Sequence, residues 1–367
     1  MWDVIVVGAG PAGAMAAYEL ARNGRKTLLL EKERLPRYKT CGGGLVLRSL
    51  SALPFAISDV VERRITGIRL TNNLQDPVLI QKEQTLVLMT MRSALDEYLT
   101  KRAIESGAEL RENSRVTGIT EKDGSVECST TSGIYSSRFL IGADGVNSIV
   151  TKTLHGRRPV CGVALEVEVS LKPGTEIIDE VDFDFNVLPN GYGWVFPKAN
   201  HLSCGVFTLN RNCPEIRKYY DQYVQQKAFA KEIIDVKLSG HRIPLKPVSD
   251  QLNTKRCLLA GDAAGLADPL TGEGISFAIR SGVLAAAAVL GNDQNLDRYS
   301  MEIRRDIAKE MKLARLLAHL LYSTPSFLYR ALARKDFFAD SILELFAGKT
   351  TYRKLVKSVL LKPYKLL

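Results

Sequence analysis

The chain has 367 residues, 46% hydrophobic and 25% charged, with a net charge of +10. That is enough for about two domains and an enclosed ligand site. The longest uninterrupted apolar stretch (283–290) is too short to span a bilayer. The six cysteines are scattered without a C-x-x-C pair, which argues against a disulfide scaffold or zinc site and suits reduced thiols in the cytoplasm.

A buried strand pattern, WDVIVVG (2–8), opens the chain, so no signal peptide or transit segment is expected. PAGAMAAYELARNG (11–24) reads as a helix closed by Gly24, and KTLLLE (26–31) as the next parallel strand. The turn between strand and helix is Gly8-Ala9-Gly10-Pro11-Ala12-Gly13. In this G-x-G-x-x-G, Gly8 permits a tight turn and Gly10 lets backbone amides reach a pyrophosphate. Gly13 lets the helix pack closely on the strand. Glu31 ends the second strand, 18 residues after Gly13. A carboxylate there accepts hydrogen bonds from a ribose 2′-OH and repels a 2′-phosphate. This unit predicts dinucleotide binding.

SALDEYLTKRAIE (93–105) reads as a helix with Ser93 as N-cap. RFLIGADG (138–145) is a buried strand entering a turn. From about 160 to 250 the pattern changes to period two, in VALEVEVSL, EVDFDFNVL, YGWVFP and LSCGVFTL. That predicts an antiparallel sheet with one covered face. Within GYGWVFPK (191–198), Tyr192, Trp194 and Phe196 share one face of a strand. RCLLAGDAAG (256–265) returns to a buried strand and a glycine turn, and the remainder is helical. The nucleotide-type segments thus flank the antiparallel block. The expected fold is α/β, with a Rossmann-like nucleotide domain (1–60, 93–157 and 250–290) interleaved with an antiparallel substrate domain (61–92 and 158–249). Residues 291–367 form a C-terminal helical region.

From Lys309 to Leu367 there are 12 Lys and Arg against 4 Asp and Glu, a net +8. Apolar patches at 313–322 and 358–367 accompany the charge. The combination suits peripheral contact with an anionic membrane surface or a solvated helical domain. No recognition motif for nucleic acid accompanies it. His155, His201, His241 and His319 lack metal-like spacing and are expected on the surface or in loops, so no metal is expected.

A second glycine-aspartate turn, Gly261-Asp262-Ala263-Ala264-Gly265, arrives late in the chain, and Gly142-Ala143-Asp144-Gly145 lies before it. With these three fingerprints the chain resembles the FAD-dependent class typified by para-hydroxybenzoate hydroxylase. The resemblance implies FAD as cofactor, with Asp262 at its ribityl and pyrophosphate region and Arg92 nearby. GYGWVFPK, CGGGL (41–45) and PLTGEGISFAIRSG (269–282) narrow it further. Over residues 1 to about 290 the chain is similar to the geranylgeranyl reductase family, which saturates isoprenoid C=C bonds in prenyl diphosphates, prenylated pigments, archaeal-type ether lipids or quinone tails. Glu273 stands where archaeal lipid-type members have glycine and matches the plant and bacterial pigment-type members.

The family resemblance implies cofactor contacts at Gly13, Glu31, Cys41, Gly42, Gly44, Arg92, Val116, Asp262, Gly274 and Ile275. Gly8, Gly10, Ala12 and Asp144 join them through the fingerprints. It turns Tyr192, Trp194 and Phe196 toward a cavity beside the flavin, as the wall for a polyprenyl substrate; a plain core is the other reading of that spacing. The expected reaction is hydride transfer from reduced flavin N5 plus a proton, with Cys41, Tyr192 or a bound water as donor. NADPH or reduced ferredoxin would supply the electrons, the latter making a donor protein a partner. A flavin monooxygenase or halogenase shares the fingerprints but needs O₂, and halogenases carry W-x-W-x-I-P in place of this aromatic run. A flavin electron-transfer or prenyl-lipid-binding protein is the non-enzymatic alternative. The expected setting is cytoplasmic, with the basic tail as a peripheral membrane contact.

Overall fold

The computed structural model describes residues 1–291, 295–323, 329 and 336–361. The first sheet is built on β1 (Trp2–Val7), which pairs in parallel with β2 (Thr27–Leu30) and β11 (Gly133–Gly142). β8 (Glu109–Arg111) extends it beyond β2. β10 (Ser125–Thr130) and β9 (Val116–Lys122) continue beyond β11, and β17 (Cys257–Leu259) also pairs β11. Val4, Ile5 and Val6 are completely buried. Such continuous apolar runs belong to strands covered on both faces. Helix α1 (Pro11–Arg22) packs between α3 (Arg92–Glu105) and α6 (Ile275–Leu290). Here α3 starts one residue earlier than expected. Met91 is its N-cap in extended geometry, and Ser93 lies inside the first turn and caps nothing. Arg92 enters the helix and pairs with Asp96 one turn on.

The second sheet has the order β16-β12-β15-β14-β13-β5-β6. Its strands are β12 (Val160–Leu171), β13 (Glu180–Phe185), β14 (Gly191–Pro197), β15 (His201–Thr208) and β16 (Ile233–Lys246), joined by β5 (Gly67–Asn72) and β6 (Gln75–Gln81). It is antiparallel except where β13 meets β5 in parallel. That junction joins strands far apart in sequence, which no hairpin can do. The expectation of a single covered face also fails. Leu165, Val167, Val169, Cys204 and Val206 pack under helix α5 (Ile216–Gln225), through Tyr220, Tyr223 and Val224. The opposite face carries Ala164, Tyr192, Trp194 and Phe207 into a second cluster. A small sheet joins β3 (Gly44–Val46), β7 (Val87–Met89) and β4 (Arg63–Ile65).

C-terminal to α6, helical turns run from Asp297 to Tyr322 with a π-helical stretch at Arg304–Ala308, followed by helices Asp336–Phe346 and Tyr352–Leu361. Residues 362–367, the end of the second apolar patch, lie outside the described residues. Among the described residues no helix is long and apolar enough to cross a membrane.

Candidate cofactor and substrate site

A cavity of about 530 Å³ lies between the two large sheets, within the range of cofactor and ligand sites. Of the expected cofactor contacts, it is lined by Gly8, Gly10, Ala12, Glu31, Cys41, Gly42, Gly44, Arg92, Val116, Asp144, Asp262, Gly274 and Ile275. Tyr192, Trp194 and Phe196 line it too. Gly13 is the exception. It faces β1, where an added Cβ would lie 1.8 Å from the Gly8 carbonyl oxygen. Its part is to let α1 approach the strand.

The N-terminus of α1 opens on this cavity with Gly10 as N-cap, Pro11 in the first turn and no side-chain cap. Its free amides suit a pyrophosphate. Glu31 accepts from Ala9 N at 2.9 Å, which fixes its carboxylate at the strand end. Arg37 bridges Glu31 (3.4 Å) and the wholly buried Asp96 (2.9 Å), and Arg92 closes the chain onto Asp96 at 2.8 Å. Burial alone would lower the Arg92 pKa, but Asp96 and Cys41 more than reverse this, so the guanidinium stays charged beside the cradle. Burial raises the Asp262 carboxyl, against the opposing pull of Lys39 and Arg92. Asp144 is engaged at the start of α4 (Ile149–His155), accepting from Ser148 Oγ at 2.5 Å and Ile149 N at 2.7 Å. Uncapped amides, a strand-end carboxylate and a fixed cation fit a dinucleotide such as FAD.

His241 departs from the expected surface or loop position. It lies within β16, lines the cavity and meets Lys39 Nζ at 2.6 Å. Burial and then Lys39 push its pKa down to about 3, so the ring is neutral. His201 lies on β15 rather than in a loop. Among the described residues no cluster of His, Cys, Asp and Glu could hold a metal.

The floor of the cavity follows from strand register. Tyr192 pairs with Phe207 and Phe185, and Trp194 with Gly205 and Phe183. Rings of Tyr192, Trp194, Phe196, Phe183 and Phe207 stand 5.3–6.3 Å apart, centroid to centroid, in tilted and edge-on contacts. Gly42 of the Cys41–Gly44 segment passes directly over this floor; a Cβ on it would lie 2.8 Å from the Phe196 ring. Gly43 N approaches Cys41 Sγ at 3.4 Å. The Tyr192 hydroxyl donates to the Thr271 carbonyl, and burial raises its pKa.

Behind the lining, Lys198 closes the aromatic run, fully buried, and donates from Nζ to Thr90 O at 2.8 Å beside Gly43. Several lining residues carry no motif. Phe346, from the C-terminal helices, also reaches the cavity and meets Phe183 at 6.3 Å. Glu166 lines it from β12. The period-two pattern marks Glu166 as a polar-face residue, and only the second sheet's packing shows that this face turns inward.

The fold and cradle define an FAD-dependent oxidoreductase: the model of the FAD binding domain family matches residues 1–313. A geranylgeranyl diphosphate reductase of Rhodobacter capsulatus is 32% identical over 310 residues, covering 79% of this chain and 75% of that protein. The chloroplastic geranylgeranyl diphosphate reductase of Arabidopsis thaliana is 29% identical, covering 95% of this chain and 79% of its own. Among solved structures, a geranylgeranyl bacteriochlorophyll reductase-like protein of Thermoplasma acidophilum superposes with a TM-score of 0.83 at 24% identity, over 100% of this chain and 99% of that one. The halogenase PltM shares the fold with a TM-score of 0.74 at 18% identity, over 98% of this chain and 86% of that one. The chain belongs to the geranylgeranyl reductase family within the FAD-binding class.

Proposed function

We propose that the protein saturates isoprenoid C=C bonds of a geranylgeranyl-type lipid, prenyl diphosphate or prenylated pigment. The observation that carries this reading is the aromatic floor facing the dinucleotide cradle across one cavity. Reduced FAD, when bound, supplies a hydride at flavin N5. The protein's residues bind, align and shield the substrate. Tyr192, Trp194, Phe196, Phe183 and Phe207 offer a polyprenyl chain an apolar bed, worth about 25 cal/mol per Å² of chain surface removed from water. Ring faces also favour cationic character at the more substituted alkene carbon, and a dry cavity protects it from water. The remaining demand is position, with the alkene held at about 3–3.5 Å from its reaction partner. Electrons come from NADPH or a reduced ferredoxin. Leu316 and Leu320, exposed on the helix Lys309–Tyr322 among basic residues, support docking on a membrane where such substrates reside.

The test is anaerobic incubation of the reduced holoprotein with a panel of geranylgeranyl compounds. Products that gain two hydrogens per reduced bond are expected. Stoichiometric O₂ uptake with an oxygenated or halogenated product would replace this reading with that of the halogenase-type neighbours. A flavin whose anaerobic re-oxidation no prenyl compound accelerates would leave a binding or electron-transfer protein.

A further inference from the structure

The sheet register sets Glu166, Gly205 and Trp194 side by side on the cavity face. Gly205 leaves room between them: a Cβ there would lie 2.2 Å from the Trp194 ring, so the indole lies across it toward Glu166. Glu166 is 1% exposed. Its Oε1 accepts from Ser203 Oγ at 2.8 Å. Its Oε2 is buried and has no hydrogen-bond partner among the described residues. A bare, ionised carboxylate oxygen is costly in such a place. A protonated one presents an O–H to the cavity.

A route to solvent adjoins it. Glu168 follows on the same face of β12 and pairs with His201 Nε2 on β15. The side chains of Glu168 and His201 are 12% and 17% exposed. Tyr38 lines the same cavity, and burial together with the charges of both carboxylates raises its pKa. Proton-carrying groups therefore run from the rim to the cavity floor.

We propose that Glu166 is the acid that protonates the substrate alkene and is refilled from solvent through Glu168 and His201. This rests on the prenyl-reductase reading above. The alkene π bond breaks and two C–H bonds form. One takes the hydride and its electron pair from the reduced cofactor, which is oxidised; the other takes the proton of Glu166. The carboxylate left behind recovers a proton from the Glu168 side. Burial lifts the Glu166 carboxyl up to about 7, and Glu168 adds to the lift. Ser203, Lys198 and the Cys41 backbone oppose it. Tyr38 approaches it from the segment between β2 and β3, and Lys237 and His241 stand on β16 beside its strand. The group therefore holds a proton near neutral pH. Tyr192 is less suited, since its hydroxyl is committed to the Thr271 carbonyl.

The experiment is single-turnover oxidation of the dithionite-reduced holoprotein by geranylgeranyl diphosphate across the neutral pH range, beside infrared titration of the same protein without substrate. The wild-type rate is expected to fall as pH rises through neutrality. E166Q should lose roughly 100-fold or more in that rate while retaining FAD, and E166D should recover part of it. Ser203→Ala removes a hydrogen bond that favours the ionised form, so it should move the limb to higher pH. A carboxylic-acid C=O band that titrates near neutrality should be present in wild type and absent from E166Q. An E166Q protein with the wild-type rate and pH profile, or a wild-type spectrum without that band, overturns the proposal. A wild-type protein that reduces no prenyl compound overturns the parent reading, and the infrared titration still reports on Glu166.

Discussion

The dinucleotide cradle and the aromatic floor line the same cavity but are built in opposite ways. The cradle is made of main chain: α1 presents bare amides, and Gly13 lets it approach Gly8 so closely that no side chain fits between. The floor is made of side chains on a regular sheet whose backbone groups are consumed by pairing. A backbone-built site tolerates almost no change, because nothing flexible can yield. A side-chain-built site can be resized ring by ring. On the proposed reading, cofactor recognition and substrate choice can thus vary separately on this fold.

The most severe test of that contrast is Gly13→Val. The nearest obstacle is a backbone carbonyl 1.8 Å from the added Cβ, so α1 must move away from β1. The expected outcome is a protein that retains no flavin, read from its visible spectrum, and melts well below wild type. Retention of FAD at full occupancy would show the cradle to be more plastic than its geometry states.

Next in size is Trp194→Ala on the floor. Trp194 is 6% exposed, and its indole N–H has no hydrogen-bond partner among the described residues. Its loss is therefore one of packing, about 3–5 kcal/mol. Flavin content should survive and KM for a prenyl substrate should rise more than kcat falls. Loss of flavin together with substrate affinity would erase the distinction between the two regions.

This contrast also explains what could be read in advance. Gly8, Gly10 and Glu31 announce themselves because a turn, a close approach and a strand-end carboxylate each admit few residue types. Tyr192, Trp194 and Phe196 are legible as sharing a face, since strand period alone dictates it. What that face meets depends on strands distant in sequence. Phe183 and Phe207 arrive by register with β13 and β15, and Phe346 from a helix more than a hundred residues further on. Glu166 and His241 look like outward polar residues because alternation assigns faces without saying which face is wet. Ser93 resembles a cap by residue type, but the start of α3 is set by Arg92 and its partner Asp96.

Glu166 offers a third, smaller test, of stability rather than turnover. Its pKa rises from 4.5 to about 7 on folding, so the folded state binds more protons than the unfolded one between these values. The wild-type protein is then most stable, in this respect, below 4.5 and loses stability as pH rises through about 7. The full effect is roughly 3 kcal/mol. E166Q carries no such penalty, so its melting temperature relative to wild type should climb across that window. A constant difference would mean that the carboxyl is ionised throughout.

The smallest expected effect probes how far the C-terminal helices belong to either region. Tyr352 donates from its hydroxyl to Asp268 Oδ2 at 2.7 Å. Asp268 Oδ1 holds Leu270 N at 2.8 Å, and Arg48 joins Asp268 (3.3 Å) to Glu273 (2.9 Å). Glu273 in turn accepts from Ser276 N at 2.6 Å in the first turn of α6. The helix Tyr352–Leu361 is thereby tied to the loop that carries Thr271 and Gly274 over the cavity. Tyr352→Phe deletes one bond and leaves Asp268 with Arg48 and a backbone amide, so no bare charge results. The cost should be about 1 kcal/mol, seen as a small fall in melting temperature with FAD content unchanged. Because the Tyr192 hydroxyl donates to the Thr271 carbonyl, any loosening of this loop should reach the floor before the cradle. A modest rise in KM for long prenyl chains is therefore expected, and loss of flavin in this variant would show that the C-terminal helices hold the cofactor side as well.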